Sequence, residues 1–115
     1  MINKNVVFAV LLTSMAASSL PPSHAQSGAD APRSHTVEIR GFAFSPARIT
    51  IKLGDTIQWK NNDLAPHTAT ADGGAWSTET LKNEETGQYV PKAAGNFAYH
   101  CKFHPAMTAV IVVEP

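Results

Sequence analysis

The sequence predicts an all-β domain, an antiparallel Greek-key sandwich or small barrel of about seven short strands. Three observations predict it. Residues 36–40, 49–53 and 56–60 alternate apolar and polar side chains with period two. The breaks between such runs carry Gly, Pro, Asn or Asp, the residues that turns demand. No segment beyond the first 33 residues keeps a helical period long enough for a long helix. No internal repeat is visible, which argues against a solenoid or propeller.

Residues 1–25 read as a cleaved signal peptide. Lys4 precedes an apolar run over residues 6–12, and Ser23, His24 and Ala25 set small residues around a cut. The run falls well short of the roughly 20 apolar residues of a spanning helix, and small and polar residues interrupt it from Thr13 onward. No cysteine lies near the cut to carry a lipid, so no membrane attachment is expected after cleavage. The periplasm is the expected address. Residues 26–34 are small, polar and Pro-containing, a flexible lead-in, and residues 35–115 form the domain proper.

Within the domain, residues 36–40 make the first strand. Ile49, Ile51 and Leu53 should share one face, with Thr50 and Lys52 on the other. Gly54 and Asp55 then read as a turn, and Ile57 and Trp59 resume an inward face, which is a hairpin signal. Asn61, Asn62 and Asp63 break the order, after which residues 67–71 can form a short strand with His67 at its opening. Residues 72–85 hold Gly73 and Gly74 and a weakly helical stretch near residues 78–83, read as a loop with one helical turn. Residues 88–90, 97–101 and 108–113 complete the set.

A chain of 115 residues has room for one compact domain and one site, and it is expected to act as a monomer. Nine Lys and Arg balance nine Asp and Glu, so nothing invites a polyanion, and nucleic acid is not an expected ligand. The single cysteine, Cys101, has no partner for a disulfide in an exported protein. Alone it would read as a small buried hydrophobe.

Its neighbours change that reading. Cys101, His104 and Met107 follow the spacing C-x2-H-x2-M at the end of a strand, so one short loop can turn three donors toward a common point. Thiolate and thioether are soft ligands and imidazole is borderline, a set suited to copper in both of its oxidation states. A trigonal plane of two His and one Cys with a weak axial Met is an electron-transfer arrangement, and the loop lacks one imidazole of it. His67 is the candidate. Pro66 restricts the backbone before it, and loops at one end of a sandwich cluster in space.

Gly54-Asp55, Trp59, Asn61 and Pro66-His67, followed by Gly95, Phe97, Tyr99-His100-Cys101, His104-Pro105 and Met107, resemble the cupredoxins, and among them the amicyanin-like and plastocyanin-like proteins. The resemblance spans residues 37–113, and the short Cys-to-Met loop is the amicyanin version. It implies a cupredoxin-like Greek-key β-sandwich holding one type 1 copper ion that cycles between Cu(II) and Cu(I). By that pattern His67 and His104 would be the imidazole ligands, Cys101 the thiolate and Met107 the axial thioether. It further implies a one-electron carrier, expected to be no enzyme because the chain has too few histidines and too little room for a second copper centre, and to meet transient protein redox partners near the edge of His104. Thr68 departs from the pattern, which often has Asn there to tie the two ligand loops together. Hydrogen bonds near the sulfur tune a metal, so the potential does not carry over.

Other residues have plainer readings. His100 should point away from Cys101 on the same strand, and His35 should be a solvated histidine ahead of the first strand. Trp59 and Phe97 fit the core. Leu64, Ala65, Pro66, Pro105 and Ala106 could form an apolar collar for a weakly held partner. The rival function is storage or delivery of copper, which needs fast metal exchange. A multicopper enzyme would need further domains and a second histidine-rich centre, and a Cys-His hydrolase would leave Met107 unexplained.

Overall fold

The computed structural model describes residues 31–115; the leader and most of the lead-in lie outside the described residues. Eight strands follow one another: β1 (Ser34–Arg40), β2 (Ala43–Ser45), β3 (Arg48–Lys52), β4 (Thr56–Asn61), β5 (Thr70–Ala71), β6 (Thr86–Tyr89), β7 (Gly95–His100) and β8 (Thr108–Glu114). They form two four-stranded sheets, in the orders β2-β1-β4-β6 and β3-β8-β7-β5. The all-β sandwich is the architecture that the period-two runs predict.

Burial follows the alternation. Val37, Ile39, Ile57 and Trp59 from one sheet and Ile51, Tyr99, Ala109, Ile111 and Val113 from the other are buried between the layers. Trp59 Nε1–H donates to Tyr99 Oη across the interior at 3.1 Å, so each ring's polar end is satisfied by the opposite sheet. Trp76, in the β5–β6 connection, stacks on Tyr89 with centroids 4.5 Å apart and on Trp59 at 5.5 Å. An aromatic outside any strand thereby packs against the core.

The eight strands agree with the expected count of about seven, the additional one being the three-residue β2, which pairs with the end of β1. Other expectations need correction. The sheets are mixed, since β1 runs parallel to β4 and β3 parallel to β8. No hairpin joins β3 and β4: the turn at Gly54 carries the chain from one sheet to the other, so Ile51 and Ile57 reach the same core from opposite layers. Period two gives a face but not a partner, which is why the hairpin signal misled. Leu53 lies beyond the end of β3 and is exposed.

The helical turn near residues 78–83 is absent. Leu81 instead makes a two-way backbone bridge with His67, N–H to O at 2.8 and 3.0 Å. That bridge also replaces the expected start of a strand at His67, leaving β5 as Thr70–Ala71 alone. His35 sits inside β1, half-buried, with Nε2 2.9 Å from the Asp55 carboxylate. Phe97 is partly buried against the core rather than inside it.

Candidate metal centre

Three connections meet at one end of the sandwich: the β1–β2 turn, the β4–β5 loop and the β7–β8 loop. Gly41 and Phe42 form the first, a two-residue turn with φ of 60° and 58°. A hairpin turn of this hand needs positive φ at both positions, a conformation that costs a phenylalanine about 1–2 kcal/mol. The Asp63 carboxylate offsets that cost by accepting the N–H of Gly41 at 2.7 Å and of Phe42 at 2.8 Å. Phe42 is thereby set edge-on to two imidazoles, with centroids 5.1 Å from His67 and 4.9 Å from His104.

The β4–β5 loop is braced by Asn61, which is fully buried. Its amide donates to the carbonyls of Ala65 and Leu81, both at 2.8 Å, and its side-chain oxygen accepts the N–H of Asp63 at 2.9 Å. Asp63 then reaches His67, with Oδ2 2.9 Å from Nε2. Burial opposes ionisation of Asp63, but the N–H groups of Phe42 and Gly41 and the His67 ring outweigh it and hold the carboxyl below its ordinary range.

A carboxylate at Nε2 fixes the proton there and leaves the lone pair on Nδ1. Nδ1 faces Cys101 Sγ at 3.7 Å, and both residues are wholly buried. Two such donors bound to one ion at about 2.3 and 2.0 Å, with an angle between tetrahedral and trigonal, would lie roughly 3.5–3.8 Å apart. The spacing fits a shared metal. Sγ also accepts the backbone N–H of Thr68 at 3.4 Å, which ties the β4–β5 loop to the sulfur.

The β7–β8 loop is a tight coil. Cys101 N–H donates to Met107 O at 3.1 Å, Met107 N–H to His104 O at 2.8 Å, and His104 N–H to Cys101 O at 3.3 Å. His104 lies with its ring centroid 5.3 Å from that of His67 and is partly exposed, while Met107 is buried. The two ligand loops are joined where Lys102 N–H donates to Thr68 Oγ1 at 2.9 Å. Among the described residues, no three His, Cys, Asp or Glu side chains form a metal-holding group by themselves; among the four expected ligands the structure shows the His67–Cys101 contact and the His67–His104 ring contact.

His100 is turned away from Cys101 and pairs with Asp72 at 2.7 Å, as its place on the strand predicts. The sequence reading gave no role at the site to three residues, Asn61 entering it only as part of the family pattern. Asn61 and Asp63 look like an order-breaking polar run, although a carboxylate four residues before a candidate His is a signal in itself. Phe42 gave no signal, because only the folded turn brings it over the histidines.

A two-layer β-sandwich with a buried imidazole–thiol pair at its loop end is a cupredoxin-type architecture. The chain belongs to the cupredoxin-like domain family, whose model matches residues 5–113. It is 30% identical to the amicyanin of Paracoccus denitrificans over 83 residues, covering 68% of this chain and 63% of that protein. It thus spans less than two thirds of the amicyanin it matches. It is 31% identical over 91 residues to the plastocyanin of Nostoc punctiforme, covering 64% of this chain and 66% of the other. Its fold is similar to that of a Cu(I) form of an amicyanin mutant, with a TM-score of 0.66 at 28% identity, covering 76% of this chain and 89% of that one.

Proposed function

We propose that this protein is a blue, type 1 copper protein that carries single electrons between periplasmic partners. His67 and His104 would supply the imidazoles, Cys101 the thiolate and Met107 the axial thioether. The observation that carries this reading is the His67 Nδ1 to Cys101 Sγ spacing of 3.7 Å, with Nε2 held from behind by Asp63. When bound, copper supplies the one-electron couple. The residues supply a cage: Asp63 holds the tautomer and aim of His67, the coiled loop holds Cys101, His104 and Met107 in one short span, and Phe42 covers both rings. Donors held on a rigid frame move little between oxidation states.

Complete burial of His67 and Cys101 favours a carrier over a storage or delivery protein, because fast exchange needs ligands that a transfer partner can reach. Leu64, Phe42 and Phe103 are 90%, 51% and 50% exposed, Phe42 lies against His104, and Phe42 and Phe103 would extend the apolar collar of Leu64, Ala65, Pro66, Pro105 and Ala106. This collar is where a redox protein would dock transiently, with the protein acting as a monomer. Residues 1–25 would be the signal peptide and residues 35–115 the functional domain, with no catalytic role of its own.

The test is the visible spectrum of the mature protein with Cu(II), with Cys101→Ser as control. An intense thiolate-to-copper band that the control lacks, bleached and restored by reductant and oxidant, is the expected result. A colourless protein that holds only Cu(I) and gives it up quickly would sink the carrier reading and leave delivery.

A further inference from the structure

Three hydroxyls beside Cys101 form a chain whose direction is fixed by counting protons. Ser77 Oγ lies 2.8 Å from the carbonyl of Thr78, which can only accept. Its single proton is therefore engaged, and in the 2.8 Å contact between Ser77 and Thr70 hydroxyls Thr70 is the donor. Thr70 must then accept from Thr68 across their 2.9 Å contact. Thr68 Oγ1 keeps its lone pairs for the N–H of Lys102 at 2.9 Å. All links point one way, from Lys102 N–H through Thr68, Thr70 and Ser77 to the Thr78 carbonyl.

The chain begins in the interior and ends at the surface: Thr68 and Thr70 are buried, and Ser77 is exposed. Reversing any one link would set two protons or two lone pairs face to face, so a single arrangement satisfies every group, and aligned bonds strengthen one another. Thr68 is the residue that this arrangement holds. Its hydroxyl receives the amide of Lys102, directly after Cys101, and its own N–H points at Cys101 Sγ.

We infer that Thr70 and Ser77 are positioning residues, which fix Thr68 so that its N–H stays on the Cys101 sulfur and the two ligand loops stay in register. This rests on the copper reading for its effect on potential, though not for the effect on the loop. An N–H dipole aimed at sulfur favours the electron-richer, reduced site, so loosening it lowers the reduction potential.

The experiment compares unmodified protein with Thr70→Val and Thr70→Ser, reading amide hydrogen exchange in the metal-free form and reduction potential in the copper form. In Thr70→Val the Lys102 amide should exchange about fivefold faster, the effect of losing one net hydrogen bond. The potential should fall, and Thr70→Ser, which keeps the hydroxyl, should restore both. Unchanged exchange and potential in Thr70→Val, or a Thr70→Ser variant no better than Thr70→Val, overturns the inference. If Thr70→Val does not fold, Ser77→Ala at the exposed end carries the test, with shifts of the same sign expected and their absence decisive against it. Unmodified protein without a blue band would sink the carrier reading, while the Lys102 exchange still decides the relay.

Discussion

One carboxylate at Asp63 accepts from the turn that carries Phe42 and from the ring of His67. Replacing it with alanine should free both. Partners behind a metal-bound imidazole typically contribute 10- to 100-fold in affinity, so Asp63→Ala should weaken copper binding by about that factor in a chelator competition titration. Unchanged affinity would mean that the Asp63 contact does not orient His67. At the opposite end Asp55 accepts the N–H of Arg33 at 2.9 Å, the His35 ring at 2.9 Å and the N–H of Lys52 at 3.0 Å. The Arg33 N–H first, then His35, bring its carboxyl down to about 2 from an ordinary 3.8. Over that interval the unfolded chain binds the proton and the folded one does not, so stability rises with pH. The Asp55 contribution should be complete above pH 3.8 and disappear as pH falls through about 2. Denaturant midpoints measured through this range should flatten in Asp55→Asn; an unaltered acid slope would show that other carboxylates set it.

At the scale of elements, the β5–β6 connection is held to the site through Leu81, whose backbone bridges His67, and to the sheet through a close approach at Gly87 on β6. A Cβ on Gly87 would sit 2.9 Å from Thr78 Cγ2 and 3.3 Å from Leu81 Cδ2, inside ordinary contact. Gly87→Ala must displace that connection. It should cost about 1–3 kcal/mol in urea unfolding, as overpacked substitutions do, and reach the site through the His67 bridge. A cost below about 0.5 kcal/mol, typical of open surface positions, would show that the connection yields freely. This loop is also where the sequence was least informative. Residues 72–85 have neither period two nor a helical stripe, because their backbone is held by Asn61, His67 and Ala69, partners distant in the chain. The strands were far easier to read: alternation in β1, β4 and β8 is a local property that burial on one face imposes on every second residue.

For the molecule as a whole, the two sheets are joined through the Trp59–Tyr99 pair. Burial pushes the Tyr99 phenol up to about 12, with the Trp59 N–H acting in the opposite direction. Trp59→Phe removes that donor and part of a wholly buried ring, so it should destabilise the fold by about 2–4 kcal/mol. Because both layers share the contact, the loss should appear as one displaced unfolding transition followed identically by far-UV and near-UV circular dichroism. The Tyr99 titration should also move further up. Two separated transitions would show that the layers unfold independently.

The sequence by itself determined the fold class, the period-two faces and the Cys101, His104 and Met107 loop, because these depend on neighbours a few residues apart. It also singled out His67, through its Pro66 and the missing imidazole of the donor set. Only the tertiary structure decided which strands pair, that β3 and β4 lie in different sheets, and that Phe42, Asn61, Asp63 and the Thr68–Thr70–Ser77 hydroxyls gather round the site. Those groups meet across 20 or more residues of chain in several cases, as between Phe42 and Asp63 or Asn61 and Leu81. A hydrogen bond has no periodicity in sequence. Its partners are chosen by which loops the packed sheets bring to the same end.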